Sequence, residues 1–169
     1  MAAMILTMLC IGAAMVASLG DYHVLVAIHR PLEVAVLILA VVRLVNRLIN
    51  PPPPFPATMS KLERRVATGS ELGMYGLMLV LPLIGWGMLS AARYPIVLYG
   101  SVHLPFVLPH SAVLYAGLRK LHTILAYGFF AMFTAHVGAI LFHTLIVRDG
   151  MLKRMAPWIS ADASARGPR

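Results

Sequence analysis

The segment LHTILAYGFFAMFTAHVGAILFH, residues 121–143, places three histidines in a stretch that otherwise contains few polar groups. A helix needs about 20 residues to cross the hydrocarbon core of a membrane, and this segment is long enough. Polar side chains inside a membrane are costly and are commonly retained for a function. The interpretation of this chain therefore depends on His122, His136 and His143.

The composition is that of an integral membrane protein. The chain has 169 residues, of which 60% are hydrophobic and 12% charged, and its mean hydropathy is +0.82. We predict an all-α integral membrane protein, a bundle of four transmembrane helices over residues 1–20, 24–49, 69–92 and 121–147. The second helix contains charged side chains, whose long aliphatic parts allow them to reach the membrane interfaces.

Two connectors and a tail accompany the predicted helices. Residues 50–56, NPPPPFP, cannot continue a helix because proline lacks the amide donor. Residues 93–120 are apolar but interrupted by prolines, so we expect an interfacial cap on the external side. The membrane domain covers residues 1–158, and residues 159–169 are expected to form a flexible cytoplasmic tail.

The distribution of cations predicts the orientation. Most of the 14 Lys and Arg residues follow the second or the fourth predicted helix. Because cytoplasmic flanks of membrane helices collect cations, both the N and the C terminus are predicted to be cytoplasmic. The net charge of +8 reflects this bias. No basic segment alternates with exposed aromatic residues, so nucleic acid is not expected as a partner.

The positions of the histidines indicate a ligand pair. His122 and His136 lie on one stripe of the fourth helix, about 21 Å apart along its axis. His29, near the start of the second helix, is expected at the depth of His122. Imidazoles from two facing helices suit the two axial positions of a six-coordinate haem b. We therefore predict haem b between the helices, with His29, His122 and His136 as candidate ligands of haem iron at two depths.

Simpler interpretations remain open for these residues. A histidine in a membrane helix can merely hydrogen-bond to a neighbouring helix. His143, near the inner interface, suits a contact with a haem propionate, a hydrogen bond to a quinone, or plain solvation. Arg43 lies near the expected depth of His136, where it suits pairing with an inner haem propionate. The general excess of cytoplasmic cations accounts for Arg43 equally well.

Four segments of the chain resemble the bacterial cytochrome b-561 family, residues 28–56, 75–88, 121–143 and 148–157. They contain the interval from His29 to the arginine of the second helix, the proline-rich link, the LPLIG sequence and the paired histidines of the fourth helix. The resemblance implies a di-haem, four-helix protein of the bacterial inner membrane. It also implies that His29 and His122 hold the outer haem.

The resemblance assigns the inner haem to His136 and to a second histidine, in a His-Trp pair at the cytoplasmic start of the first helix. No such pair occurs in this sequence, and the family spacing places it just before Met1. We therefore expect the native product to be longer, and a single haem for the chain that starts at Met1. Pro31 and Glu33 also depart from the small or unrestricted residues of relatives.

The function implied by the resemblance is transmembrane electron transfer through haem b, with exchange of electrons with membrane quinone. Its most specific form is superoxide oxidation coupled to ubiquinone reduction. Arg119 and Lys120, beside His122, would attract an anionic reductant at the external face. Expected partners are membrane lipid, quinone, and a small reductant or redox protein, in a homodimer or a larger redox complex.

Two alternative functions also fit the sequence. The chain suits the cytochrome b membrane anchor subunit of a dehydrogenase or hydrogenase. From a different class, it suits a haem-free transporter or metal-binding membrane protein that uses the histidines of the fourth helix.

Overall fold

A computed structural model describes residues 1–18, 20–51, 54–55, 59–98 and 100–147. These residues contain helices α1 (Ala2–Ala17), α2 (Tyr22–Ile49), α3 (Lys61–Ala91) and α4 (Ala112–Phe142), with a π-helical turn (His143–Val147) after α4. Between α3 and α4 lie two short strands, β1 (Ile96–Leu98) and β2 (Val102–Leu104).

Three of the described helical segments are long and apolar enough to cross a membrane: Tyr22–Ile49, Lys61–Ala91 and Ala112–Ile146. These segments confirm a membrane protein built mainly of helices. The first helix, α1, is apolar but has 16 residues, fewer than the about 20 that a span requires. The fourth span and the orientation of the termini therefore stay predictions.

Helix α3 begins earlier than predicted, at Lys61 rather than at residue 69, because Ser60 caps it. The Ser60 hydroxyl accepts a hydrogen bond from the Glu63 amide at 3.2 Å, and the Glu63 carboxylate accepts one from the Ser60 amide at 2.7 Å. This reciprocal pair satisfies amides that have no partner inside the helix. The helix can therefore start in a charged segment before the apolar run.

Helix α4 also begins earlier, at Ala112 rather than at residue 121. The hydroxyl of Ser111 accepts a hydrogen bond from the Leu114 amide at 3.2 Å and caps the first turn. The predicted external cap is therefore partly helical. Its earlier part contains the antiparallel hairpin of β1 and β2, in which Ile96 lies opposite Leu104. The predicted tail, 159–169, lies outside the described residues.

The connector between the strands and α4 is fixed to the end of α3 by Ser90. Ser90 is fully buried, and its hydroxyl oxygen accepts hydrogen bonds from the amides of Val107 at 2.7 Å and Leu108 at 2.8 Å. Nearby, the indole of Trp86 donates to the carbonyl of Pro105 at 2.9 Å. These bonds satisfy backbone groups of an irregular segment that packs on a helix end.

The chain divides into two compact units, Met1–Phe130 and Ala131–Arg169, of which the second is described as far as residue 147. In the first unit, α2 packs against both α1 and α3. Its core includes Val36 and Ala40 on one face of α2, and Tyr75 on α3. Many large apolar side chains of the helices are exposed instead of buried. Such exposure is expected of helices whose outer faces contact lipid.

Candidate metal centre

His29 of α2 and His122 of α4 lie close together in the structure. With Glu33 they form a cluster in which one ligand atom of each residue lies within 4.8 Å of the others. All three side chains are half-buried. His29 and Glu33 are four residues apart on α2, a spacing that places side chains next to each other on one helix face. The third member comes from a different helix.

Two nitrogen atoms of this cluster have no hydrogen-bond partner. Nδ1 of His29 and Nδ1 of His122 are buried, and neither has a partner within the described part of the chain. An unsatisfied buried polar atom costs about 1–3 kcal/mol. Coordination of a metal is one way to satisfy an imidazole nitrogen. These atoms therefore point to a bound ligand.

The Glu33 carboxylate lies against the backbone of α3 at Gly85. A Cβ atom at Gly85 would be 3.0 Å from Oε1 and 3.1 Å from Oε2 of Glu33. Any larger residue at position 85 would therefore push the carboxylate away. A cavity of about 30 Å³ beside it is lined by Arg30, Glu33, Gly85 and other residues of α2, α3 and the hairpin. That volume is enough for a water molecule.

The donors of this cluster fit the iron of a haem. His29 and His122 are imidazoles on separate helices, and their ligand atoms are separated by no more than 4.8 Å. Two metal–imidazole bonds of about 2.0–2.1 Å, the length seen with zinc, span a similar distance. The Glu33 ligand atom lies within 4.8 Å of both imidazole ligand atoms, so the carboxylate would have to rotate away for a flat macrocycle to fit between the imidazoles.

A second open cavity, of about 540 Å³, lies at the start of α2. It is lined by His23, Arg30, Val97 and neighbouring residues of α2 and the hairpin. Nε of Arg30 is buried without a hydrogen-bond partner in the described chain, while its Nη1 donates to the Pro95 carbonyl at 3.4 Å. The lining of this cavity therefore includes a guanidinium with unused donor capacity.

Arg43 contacts a residue that the sequence analysis did not identify. Its Nε donates a hydrogen bond to the hydroxyl of Tyr75 at 2.9 Å. Arg47, one turn further along α2, pairs with Glu71 and lies 5.9 Å from the centre of the Tyr75 ring. These contacts join the cationic end of α2 to α3. Pairing of Arg43 with a haem propionate stays a prediction.

His136 and His143 lie in the second unit, on α4 and in the π-helical turn. Both side chains are half-buried. Among the described residues, neither belongs to a cluster of three or more potential metal ligands. Their roles at an inner haem and at a quinone therefore stay predictions.

Arg119 and Lys120 are both exposed, and their location on the external side stays a prediction. The guanidinium of Arg119 donates to the Tyr115 hydroxyl at 3.3 Å, one turn earlier on α4. This contact orients the Arg119 side chain along the helix surface, where its charge stays accessible.

Sequence reasoning missed Glu33 as a member of the cluster. The signal was present in the sequence, because a histidine and a glutamate four residues apart on a helix present two metal-ligand types on one face. Tyr75 was missed for another reason. A tyrosine near the start of an apolar run gives no indication of the arginine on a different helix that it will contact.

The sequence matches the family described as prokaryotic cytochrome b561 over residues 1–158. Cytochrome b561 homolog 2 of Escherichia coli strain K12 is 28% identical over 144 residues, which are 85% of this chain and 76% of that protein. Cytochrome b561 homolog 1 of the same strain is 31% identical over 109 residues, 64% of this chain and 58% of that protein. The family match includes all three residues of the cluster.

Proposed function

Because the chain belongs to the prokaryotic cytochrome b561 family, we propose that it transfers electrons across a bacterial inner membrane through haem b bound by His29 and His122. The main support is the proximity of these two histidines, which bring ligand atoms from α2 and α4 within 4.8 Å of each other. Bound haem supplies one-electron redox chemistry. His29 and His122 would hold the iron through two imidazole nitrogens, an arrangement that favours electron transfer over binding of substrate at the metal.

The proposed topology has four spans, with α1 as the first and both termini in the cytoplasm. Helix α1 packs along α2, and every residue in it is uncharged, so a span needs only a few flanking residues beyond Ala2–Ala17. In this topology His29 and His122 lie near the external surface. Arg43 and Arg47 then lie near the cytoplasm, in agreement with the preference of cations for that side.

The external face suits an anionic electron donor. The guanidinium of Arg30 faces the cavity at the start of α2 and has a buried Nε without a partner in the described chain. Arg119 and Lys120 add exposed positive charge close to His122 in sequence. Positive charge near a cleft raises the local concentration of anions and their rate of encounter. A small anion such as superoxide is the donor that we propose.

The cytoplasmic half is proposed to pass the electron to quinone. His136 is the proposed ligand of an inner haem, and His143 the proposed hydrogen-bond donor to the quinone. Arg43, held by the Tyr75 hydroxyl at 2.9 Å, is the proposed partner of an inner propionate. With these assignments two superoxide anions are oxidised to O2, and their two electrons, together with two protons from water, reduce one ubiquinone to ubiquinol.

Absorption spectra test the haem assignment. The chain is expressed with a supply of haem, purified in detergent, and examined by reduced-minus-oxidised difference spectroscopy. We expect Soret and α bands of a low-spin b haem in the wild type, and their loss in His29→Ala and His122→Ala. His103→Ala, on the exposed hairpin, is the matched control and keeps the bands. Unchanged bands in both ligand variants would disprove the assignment.

A separate assay tests the donor and the acceptor. The haem-loaded protein is placed in liposomes that contain ubiquinone and is exposed to an enzymatic source of superoxide. We expect quinol to form at a rate that falls in Arg30→Gln while the haem spectrum is unchanged. No quinol formation by a protein with an intact spectrum would refute the superoxide and ubiquinone assignments, and leave haem-based electron transfer in place.

A further inference from the structure

We propose that His29, Glu33 and His122 form a binding site for a divalent transition-metal ion when the chain contains no haem. The site goes beyond the proposed electron transfer and does not depend on it. Its basis is the close approach of three ligand atoms, one from each residue, all within 4.8 Å of one another.

The donor set selects the kind of ion. Two imidazole nitrogens and one carboxylate oxygen suit Zn²⁺ or Co²⁺, which accept three protein ligands and leave a position for water or another small ligand. Mg²⁺ and Ca²⁺ prefer sites made only of oxygen atoms. Nδ1 of His29 and of His122 has no other partner in the described chain, so each imidazole retains bonding capacity.

The carboxyl group of Glu33 supports the same ion. A carboxylate removed from water is costly unless it is paired or coordinates a metal. Among the described residues Glu33 takes part in no salt bridge, and the pair that is present joins Arg47 to Glu71. The guanidinium of Arg30 lines the same small cavity as Glu33 without forming a salt bridge to it, so a divalent cation would add a second, directly bound positive charge.

The backbone of α3 holds the carboxylate in place. The space that a side chain at position 85 would fill is taken by the Glu33 carboxylate, whose oxygens lie 3.0 and 3.1 Å from the Cβ position of Gly85. On its other side, Glu33 has His29 one turn earlier on α2. The position of the third ligand therefore depends on the absence of a Cβ atom at Gly85.

The ion and haem use the same two histidines. Because both occupants need these imidazole nitrogens, they exclude each other. The ion would hold His29 and His122 in position and bind a nitrogen atom of each imidazole until haem displaces it.

Titration with Co²⁺ tests the site, because the visible absorption of bound Co²⁺ reports on its ligands. The chain is produced in haem-deficient cells, purified in detergent without a polyhistidine tag, and titrated with Co²⁺. We expect one Co²⁺ per chain in the wild type. The affinity should fall at least tenfold in His29→Ala, His122→Ala and Glu33→Gln. His103→Ala and Asp21→Asn, both at exposed positions, should bind as the wild type does.

Gly85→Ala is an independent test that leaves all three ligands in the chain. Its methyl group displaces the carboxylate, so Co²⁺ binding should weaken while circular dichroism and elution volume stay those of the wild type. Haem added to the Co²⁺-loaded wild type should release the ion in proportion to the haem bound.

The proposal would be overturned if the wild type did not bind Co²⁺, or if Glu33→Gln bound Co²⁺ as tightly as the wild type does. Full occupancy of one chain by Co²⁺ and haem together would also overturn it. The haem spectra of the His29 and His122 variants do not depend on Co²⁺ binding. Failure of the metal-site proposal is therefore distinguishable from failure of the proposed function.

Discussion

Tyr75 accepts a hydrogen bond from Nε of Arg43 across the interface between α3 and α2, at 2.9 Å. Tyr75 is only 6% exposed, and its ring also lies beneath the guanidinium of Arg47, 5.9 Å from the ring centre. One tyrosine thus contacts two successive arginines of α2. This arrangement constrains how the second half of α2 is rotated against α3.

Loss of the Tyr75 hydroxyl should destabilise the protein. Tyr75→Phe keeps the ring and removes a hydrogen bond to a charged donor, which contributes about 1.5–3 kcal/mol. We expect a lower thermal unfolding temperature in detergent. The control is Tyr115→Phe, whose hydroxyl accepts a longer bond of 3.3 Å from the exposed Arg119. Equal losses in the two variants would show that the buried contact has no special contribution.

Loss of the ion pair of Arg47 and Glu71 should destabilise the protein less than loss of the Tyr75 hydroxyl. Its side chains are 23% and 30% exposed, and partly exposed pairs contribute roughly 0.2–1 kcal/mol. Glu71→Lys places two cations together and should lower the unfolding temperature. The exchange Arg47→Glu with Glu71→Lys should recover part of the loss, since opposite charges again face each other. A double variant less stable than Glu71→Lys would contradict this pairing.

Ser90→Ala should loosen the connector between β2 and α4. The substitution removes the acceptor of the Val107 and Leu108 amides, and each amide left unsatisfied costs about 1–3 kcal/mol. We expect a lower unfolding temperature and faster cleavage of residues 105–111 by an added protease. Ser101→Ala, in the exposed hairpin turn, is the comparison and should behave as the wild type does. Unchanged cleavage in Ser90→Ala would argue against its role.

Glu33→Ala should increase haem content. The carboxylate lies in the space that a macrocycle needs, so its removal favours the haem-bound form. The ratio of haem to protein after purification should rise, and transfer of haem to an excess of apomyoglobin should slow. Asp21→Asn provides a control for loss of a carboxylate elsewhere on the chain. A fall in haem content in Glu33→Ala would mean that the carboxylate supports haem binding.

Thiol labelling tests the proposed orientation. In a Cys10→Ser background, Ser101→Cys and Lys61→Cys place single thiols in the hairpin turn and at the start of α3, both at exposed positions. An impermeant maleimide should label intact spheroplasts at position 101 and leave position 61 unlabelled until the cells are opened. The reverse pattern would invert the topology.

The main helices could be predicted from the sequence because the thickness of a membrane fixes the length of an apolar helix. The agreement is best for α2, predicted over residues 24–49 and observed over Tyr22–Ile49. The early start of α3 could also have been predicted, because Ser60 and Glu63 form the capping-box pattern. Apolar content alone does not detect this start. Helix ends in polar sequence thus depend on capping residues.

The proximity of His29 and His122 agrees with the prediction that both lie at a similar depth, near the start of helices that enter the membrane from the same side. The contact between Glu33 and Gly85 does not follow from the sequence. The sequence of a helix that is apolar on most faces does not indicate which face packs against a neighbouring helix. The contact of Glu33 with α3 could therefore not be predicted. The rotation is set by particular contacts, such as that of Tyr75 with Arg43.

The attachment of the connector to Ser90 bears on the order of assembly. Because Val107 and Leu108 bond to the end of α3, the chain is already anchored three residues before Ser111 caps α4. We expect α3 and α4 to insert from the translocon as a coupled hairpin, in a step distinct from insertion of α2. The partners His29 and His122 would then enter the membrane in separate steps. A haem that needs both histidines would therefore bind only after α4 has been inserted.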